Sequence, residues 1–386
     1  MKIRAPAVLG AGLGLAAAML VLGYASMQRA PQLGSPMLSD HGGPIRAVVM
    51  QYARGSDFVA PVYRQYLQWQ TADFTVYLAC PAEADFQELR TLVGPVNCRL
   101  VPVYTGHDQT AWSRDRWVAL GGGAAQENPA LPVTLLSPKG EMGAESWPPR
   151  AGDMHIGEDL AQAFPAEFRA RRSELFFDGG DFLADGPLVF ATRALLERNL
   201  QHTVTTRQNL IQAIAHDLNL TPVLLDDGPQ HHAGMFMMAA GPDPQDAARR
   251  VMLVADPSLG QPLYAPNPET DAAFSGGPDF SAQAQRRFDA VAKVCADQGY
   301  RVVRIPVIPA AAGKMYITYV NVILDRTPQG RPVVYMSSYG GQEKLNAAAA
   351  EVWASLGYEV RPIDCTTVWK LGGTLHCLVN VYRRAS

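Results

Sequence analysis

From Arg46 onward, short apolar runs alternate with amphipathic stretches, the pattern made by strands exchanging with helices. Arg46–Tyr52, Phe74–Ala79 and Arg99–Val103 read as strands, with helices predicted over Val62–Gln70 and Glu83–Leu92 between them. Further helices are expected around Asp159–Phe164, Gln208–Leu218, Ala282–Gln298 and Gln342–Leu356. β-rich runs at Thr221–Leu225, Arg249–Ala255, Arg301–Val307, Tyr316–Leu324 and Val333–Ser337 separate them. Signals mixed along the whole chain predict an α/β fold rather than segregated classes. No linker-like break divides residues 45–386, which are expected to form a single domain.

The N-terminal pattern is different. Lys2 and Arg4 precede an apolar run from Ala5 to about Tyr24, and small residues follow near Ala25. Residues 1–25 therefore read as a signal peptide or membrane anchor, and 26–44 as a Pro/Gly/Ser-containing linker. The expected location is exported: periplasmic, extracellular or attached to a membrane through this segment. Gly10, Gly12 and Gly14 imitate a dinucleotide loop, but no strand precedes them and no ribose-binding acid follows.

Composition narrows the field. With 386 residues, 48% hydrophobic, the chain can bury a large core without metals or staples. A net charge of -3 leaves no basic footprint for nucleic acid. The five cysteines are odd in number for an exported chain, so at least one is unpaired or pairs between molecules. A Cys80–Cys98 disulfide is one arrangement the sequence allows, and Cys295, on a predicted helix, reads as packing. HExxH, paired CxxC and GxSxG motifs are missing, which argues against zinc and against a serine-hydrolase elbow.

Polar residues concentrate in four segments: Trp112-Ser113-Arg114-Asp115-Arg116-Trp117, Asp178-Gly179-Gly180-Asp181, His231-His232-Ala233-Gly234, and Gly372-Gly373-Thr374-Leu375-His376-Cys377. A cysteine following a Gly-Gly turn and entering an apolar strand suits an exposed nucleophile. It needs a cationic neighbour to become a thiolate, and a histidine can supply and later withdraw the proton. Carboxylates such as Asp115 and Asp178 match the forked donors of a planar cation. Each residue also has a plainer explanation: a surface ion pair for Asp115, a turn for Asp178, and core packing for His232 and Cys377.

Taken in order, the four segments resemble the guanidine-modifying (pentein) superfamily, most closely the agmatine deiminase and bacterial peptidylarginine deiminase branch. Thr318-Tyr319-Val320-Asn321 and Leu195-Leu196-Glu197-Arg198-Asn199 also look like stretches of that branch. The Gly-Gly-x-x-His-Cys ending is the most specific element. The resemblance implies a five-bladed α/β propeller of pseudo-fivefold ββαβ units around a central site. It implies that Cys377 attacks a guanidinium carbon, and that His232 protonates the departing amine and then activates water. Asp178 would contact the cation or orient His232. Asp115 would hold the guanidinium nitrogens, with Trp112 and Gly373 also at the substrate. No cofactor and no metal are implied, and the expected partner is a small-molecule or peptidyl guanidine.

Three positions depart from the pattern. Gly234 stands where the branch carries the acid of its Gly-His-x-Asp segment, a loss worth roughly 2–5 kcal/mol if a cationic donor is left buried and unpaired. Asp226 and Asp227 lie upstream and could fill the gap. Arg116-Trp117 replaces a Gly-Pro turn, and Asp178 replaces a longer Glu. Hydrolysis of an agmatine, arginine or peptidylarginine class of guanidine is the leading expectation. N-substituted guanidines, as taken by the related dimethylarginine hydrolases, and a catalytically weakened guanidine-binding protein are the alternatives. A papain-like protease fits less well, because its nucleophile heads a helix near the mature N-terminus.

Overall fold

Why the strands group as they do follows from one connection pattern used repeatedly. In the computed structural model, residues 35–122, 128, 130–141, 148–274, 276–311 and 315–385 are described. The expected leader or anchor at 1–25 and the first part of the linker lie outside them. The first strands are β1 (Ile45–Gln51), β2 (Thr75–Cys80) and β3 (Arg99–Tyr104), followed by β4 (Val118–Leu120), β5 (Val133–Ser137) and β6 (Phe168–Arg172). Then come β7 (Phe182–Asp185), β8 (Leu188–Thr192), β9 (Thr221–Leu225), β10 (Met237–Asp243), β11 (Asp246–Asp256), β12 (Arg301–Pro309) and β13 (Tyr316–Thr318). The last are β14 (Ile323–Arg326), β15 (Pro332–Ser338), β16 (Glu359–Asp364) and β17 (Val379–Arg384).

These strands form five mixed sheets: β17-β1-β2-β3, β4-β5-β6, β7-β8-β9, β10-β11-β12-β13 and β14-β15-β16. In each, the first two strands pair antiparallel, and a helical crossover then brings the third in parallel. The crossovers contain, among others, helices Ala60–Gln68, Ile156–Ala163, Arg207–Leu218, Ala282–Asp297 and Glu343–Ser355. A parallel pair cannot be joined by a tight turn, so a helix in each crossover is the physical consequence. The sheet that begins the described chain is completed by β17 at its end, with Val49 opposite Asn380.

Local chemistry supports each element. Ser281 caps helix Ala282–Asp297 by accepting from the Ala284 amide, and the stripe Ala284, Phe288, Val291 and Cys295 is buried. Val251–Asp256 of β11 are all buried, as expected for a strand covered on both faces. Among the described residues, no helix is long and apolar enough to cross a membrane.

Four expectations need correction. The run Tyr316–Leu324 is two strands, β13 and β14. Between them, Tyr319 gives its carbonyl to the Trp353 indole, and Asn321 turns towards Cys377. Cys377 lies in a one-turn helix, Leu375–Leu378, ahead of β17 rather than inside a strand. Cys80 and Cys98 are free. Cys80 pairs across the parallel ladder with Tyr104, whereas Arg99, next to Cys98, faces Thr75. The two thiols thus sit at opposite ends of about 17 Å of strand, far beyond disulfide reach. Residues 37–43, assigned to the linker, are built into the body. Amides of Met37 and Leu38 bond to Leu218 and Ala119, and Asp40 is buried.

Candidate active site

The five sheets contribute equivalent positions to one place. Trp112–Arg116 precede β4, Asp178–Asp181 precede β7, and His231–Met235 precede β10. Asn321 precedes β14, and Gly372–Cys377 precede β17. Each lies in the loop that enters the first strand of a sheet. Trp112, Asp115, Asp178, His232, Gly373 and Cys377, all six of the residues singled out from sequence, line a single cavity of about 780 Å³.

The thiol is held by a dense polar frame. Asn321 lies beside it, with Nδ2 3.5 Å from Cys377 Sγ. The Asn321 Oδ1 accepts from the Thr374 hydroxyl at 2.6 Å and from the His376 amide at 3.0 Å, fixing the turn that presents Cys377. The Arg114 amide donates to the Cys377 carbonyl, and Asn380 donates to the carbonyls of Ser113 and Trp117. His231 bonds the Gly372 carbonyl at 2.7 Å. These contacts tie the loops before β4, β10 and β14 to the loop that carries Cys377.

His232 stands over the Asp178-Gly179-Gly180 turn. A Cβ on Gly180 would lie 2.4 Å from the imidazole, so only glycine lets the ring approach this closely. His232 Nε2 is 3.3 Å from Asp178 Oδ2, and Nδ1 is 3.9 Å from Asp115 Oδ1. Burial disfavours the imidazolium most. The neighbouring Cys377 and the charges of Asp115 and Asp181 outweigh it and raise the His232 pKa above its ordinary value. A proton carrier bonded to its own carboxylate support, Asp178, thus lines the same cavity as the thiol.

The space beside Gly234 is filled by His376. A Cβ there would be 2.9 Å from His376 Nδ1 and 3.4 Å from Asn321 Nδ2. His376 in turn bonds Asp40 at 2.9 Å, and Asp40 pairs with Arg114 at 2.9 Å. Burial and the Arg114 charge push His376 down to about 4, so it is neutral at ordinary pH. Burial raises Asp40, but Arg114 and His376 prevail and hold it at about 2. Asp226 does not supply a missing acid, because it is exposed and paired with Arg207 at 2.5 Å.

Arginines of the chain itself occupy the carboxylates. Arg116 bonds both Asp178 and Glu141, and Arg198 bonds both Asp178, at 2.7 Å, and Asp181. Arg150 donates to Asp115 Oδ2 at 2.8 Å and lies 3.5 Å from Asp178 Oδ1. Burial opposes the charge of Asp115, but Arg150, then His232 and Arg116, hold its carboxyl below the usual range. Asp115, expected to be open to a ligand, is thus engaged within the chain. The departure Arg116-Trp117 has a structural sense: the arginine ties two loops together, and the indole is fully buried.

Sequence reasoning missed Asn321 as a partner of the thiol, gave Asp181 no role of its own within its segment, and missed Arg150 altogether. A polar residue interrupting the apolar run Tyr316–Leu324 was the available signal for Asn321. Arg150 follows two prolines in an otherwise featureless stretch and offered none.

No family model and no curated protein matches the sequence. Solved structures do match by shape. An agmatine deiminase of C. jejuni superposes over 90% of this chain and 95% of its own, with a TM-score of 0.62 and 13% identity. The agmatine deiminase of Enterococcus faecalis covers 92% and 97%, with a TM-score of 0.63 and 15% identity. A cysteine-to-serine variant of the C. jejuni enzyme with substrate bound covers 91% and 96%, at a TM-score of 0.64 and 10% identity. The chain has the mixed-sheet α/β fold of these agmatine deiminases.

Proposed function

We propose that the chain hydrolyses a guanidino group through a covalent intermediate on Cys377, within a five-bladed α/β propeller. Five sheets of one connection pattern, four entry loops lining one cavity and Asn321 of the fifth loop against Cys377 support the propeller reading. The observation that carries the chemistry is the meeting of Cys377, His232, Asp178 and Asp115, drawn from four distant segments, around that cavity.

The Cys377 sulfur forms a bond to the guanidinium carbon. The C–N bond to the departing amine then breaks as His232 delivers a proton to that nitrogen. Asp178 orients the imidazole throughout. Water, losing a proton to His232, attacks the amidino-thioether. The C–S bond breaks, the thiolate returns, and a ureido product leaves. Asp115 binds the cation, and Trp112 and Gly373 wall the site. The N-terminal segment would place this activity outside the cytoplasm.

Agmatine, arginine and peptidylarginine are the first substrate class to test. The filled space beside Gly234 favours a second reading, an N-substituted guanidine, because no acid can stand on that side to pair with an N–H. Incubation with agmatine, arginine, methylated arginines and arginine peptides, followed by a ureido assay, separates these. Turnover on none of them, with no alkylation of Cys377 by chloroacetamidine, sinks the enzymatic reading.

A further inference from the structure

Arg150 presents inside the cavity the same chemical group that the proposed reaction consumes. Its guanidinium nitrogen bonds Asp115 at 2.8 Å and approaches Asp178 at 3.5 Å. We propose that Arg150 is a specificity-determining residue: its guanidinium occupies the cation subsite of the free protein, and an incoming guanidinium binds by displacing it.

The three site arginines differ in how they are held. Arg116 and Arg198 each bridge two carboxylates, Arg116 reaching Asp178 and Glu141, Arg198 reaching Asp178 and Asp181. Arg150 is held through one nitrogen, and its side chain, like that of Arg198, lines the open cavity. Among the described residues its departure breaks one hydrogen bond, where that of Arg116 or Arg198 breaks two. Its backbone does not need to move. Asp153, at the end of the same short helix, Pro148–Asp153, accepts from the Thr110 amide at 2.7 Å and from Gln51 at 3.0 Å. The side chain alone swings.

Asp115 shows why the two cations exclude each other. One carboxylate oxygen is taken by Arg150. The other is buried, has no hydrogen-bond partner among the described residues and faces His232 Nδ1 at 3.9 Å, too close for another heavy atom to sit between. A forked guanidinium gains Asp115 only when Arg150 gives up its oxygen. Substrates too weakly bound to displace it are rejected, and neutral molecules gain nothing by doing so.

This inference rests on the proposed reading of the site as a guanidinium binder, and the test separates the two. Chloroacetamidine, a cation, and chloroacetamide, its neutral counterpart of similar shape, alkylate a thiol by the same displacement of chloride. Rates at Cys377 are measured for the full chain and for Arg150→Gln, with melting curves to check folding. The cation-to-neutral rate ratio should rise about tenfold or more in Arg150→Gln, a factor equivalent to about 1.4 kcal/mol. Arg150→Met, which keeps the apolar stem and drops the charge, decides the same question if the glutamine variant does not fold. An unchanged or lower ratio overturns the proposal, as does failure of the cation to reach Cys377 in every protein. A raised ratio with no turnover of any guanidine leaves Arg150 as the subsite occupant and removes the catalytic reading instead.

Discussion

Restoring the acid at position 234 should damage the protein rather than improve it. The backbone at Gly234 belongs to a 3-10 turn, Ala233–Met235, and is not left-handed, so the cost of a side chain is purely its neighbours. A Cβ would lie 2.9 Å from His376 Nδ1, 3.4 Å from Asn321 Nδ2 and 3.7 Å from His376 Cε1. His376 cannot retreat easily, because Asp40 holds its far nitrogen at 2.9 Å and Asn321 holds its amide at 3.0 Å. Overpacking of this kind costs about 1–3 kcal/mol, the range expected for Gly234→Ala. Gly234→Asp should cost more, since neutral His376 offers no counter-charge and a buried, unpaired carboxylate adds several kcal/mol. Displacing Asn321 also misplaces Cys377, and a 1 Å error at a nucleophile can lower turnover about 10²-fold. Urea unfolding is the suitable assay, because guanidinium chloride is itself a guanidine. A Gly234→Ala protein as stable and as active as the native one would refute the reasoning. So would a Gly234→Asp protein with increased activity on agmatine.

Other outcomes follow from the buried charges. Burial raises Asp153 from 3.8 to about 6, so its contribution to stability is full below about pH 4 and is lost as pH rises through about 6, a change of about 3 kcal/mol. Asp153→Asn, which keeps an acceptor for Thr110 and Gln51, should flatten urea stability across that window; an unaltered pH dependence would count against it. Asp40→Ala leaves Arg114 and His376 without their shared carboxylate and should destabilise by roughly 3–5 kcal/mol, read by thermal melting. Asp115 helps to raise His232, so the His232 ring resonance in Asp115→Asn should titrate at lower pH than in the native protein. No movement, or an upward one, would remove Asp115 from the electrostatics of the ring.

Much of the framework was legible because burial follows periodicity. The predicted strand Thr221–Leu225 is β9, and the predicted helix Gln208–Leu218 is the observed Arg207–Leu218. Short strands were harder. β4 has three residues and β7 four, too few for alternation to register. The break between β13 and β14 is set by tertiary hydrogen bonds, from Thr318 to the Met235 carbonyl and from Trp353 to Tyr319, which no local pattern encodes. At the site, the residues with reactive side chains stood out as polar groups between apolar runs. Their internal partners did not. Arg150 lies 35 residues beyond Asp115, and Asp40 lies 336 residues before His376, so both pairings exist only in the folded chain. The missing acid at 234 could be read, but not that His376 had taken its place.

The central claim is that Cys377 carries the reacting carbon. Acid quenching during turnover of the guanidine that the panel identifies, followed by mass spectrometry of the peptide containing Cys377, tests it most directly. An amidino adduct on Cys377, appearing before ureido product and decaying with it, is the predicted result. Ureido product formed at full rate while Cys377 stays unmodified, or formed equally by Cys377→Ala, contradicts the account.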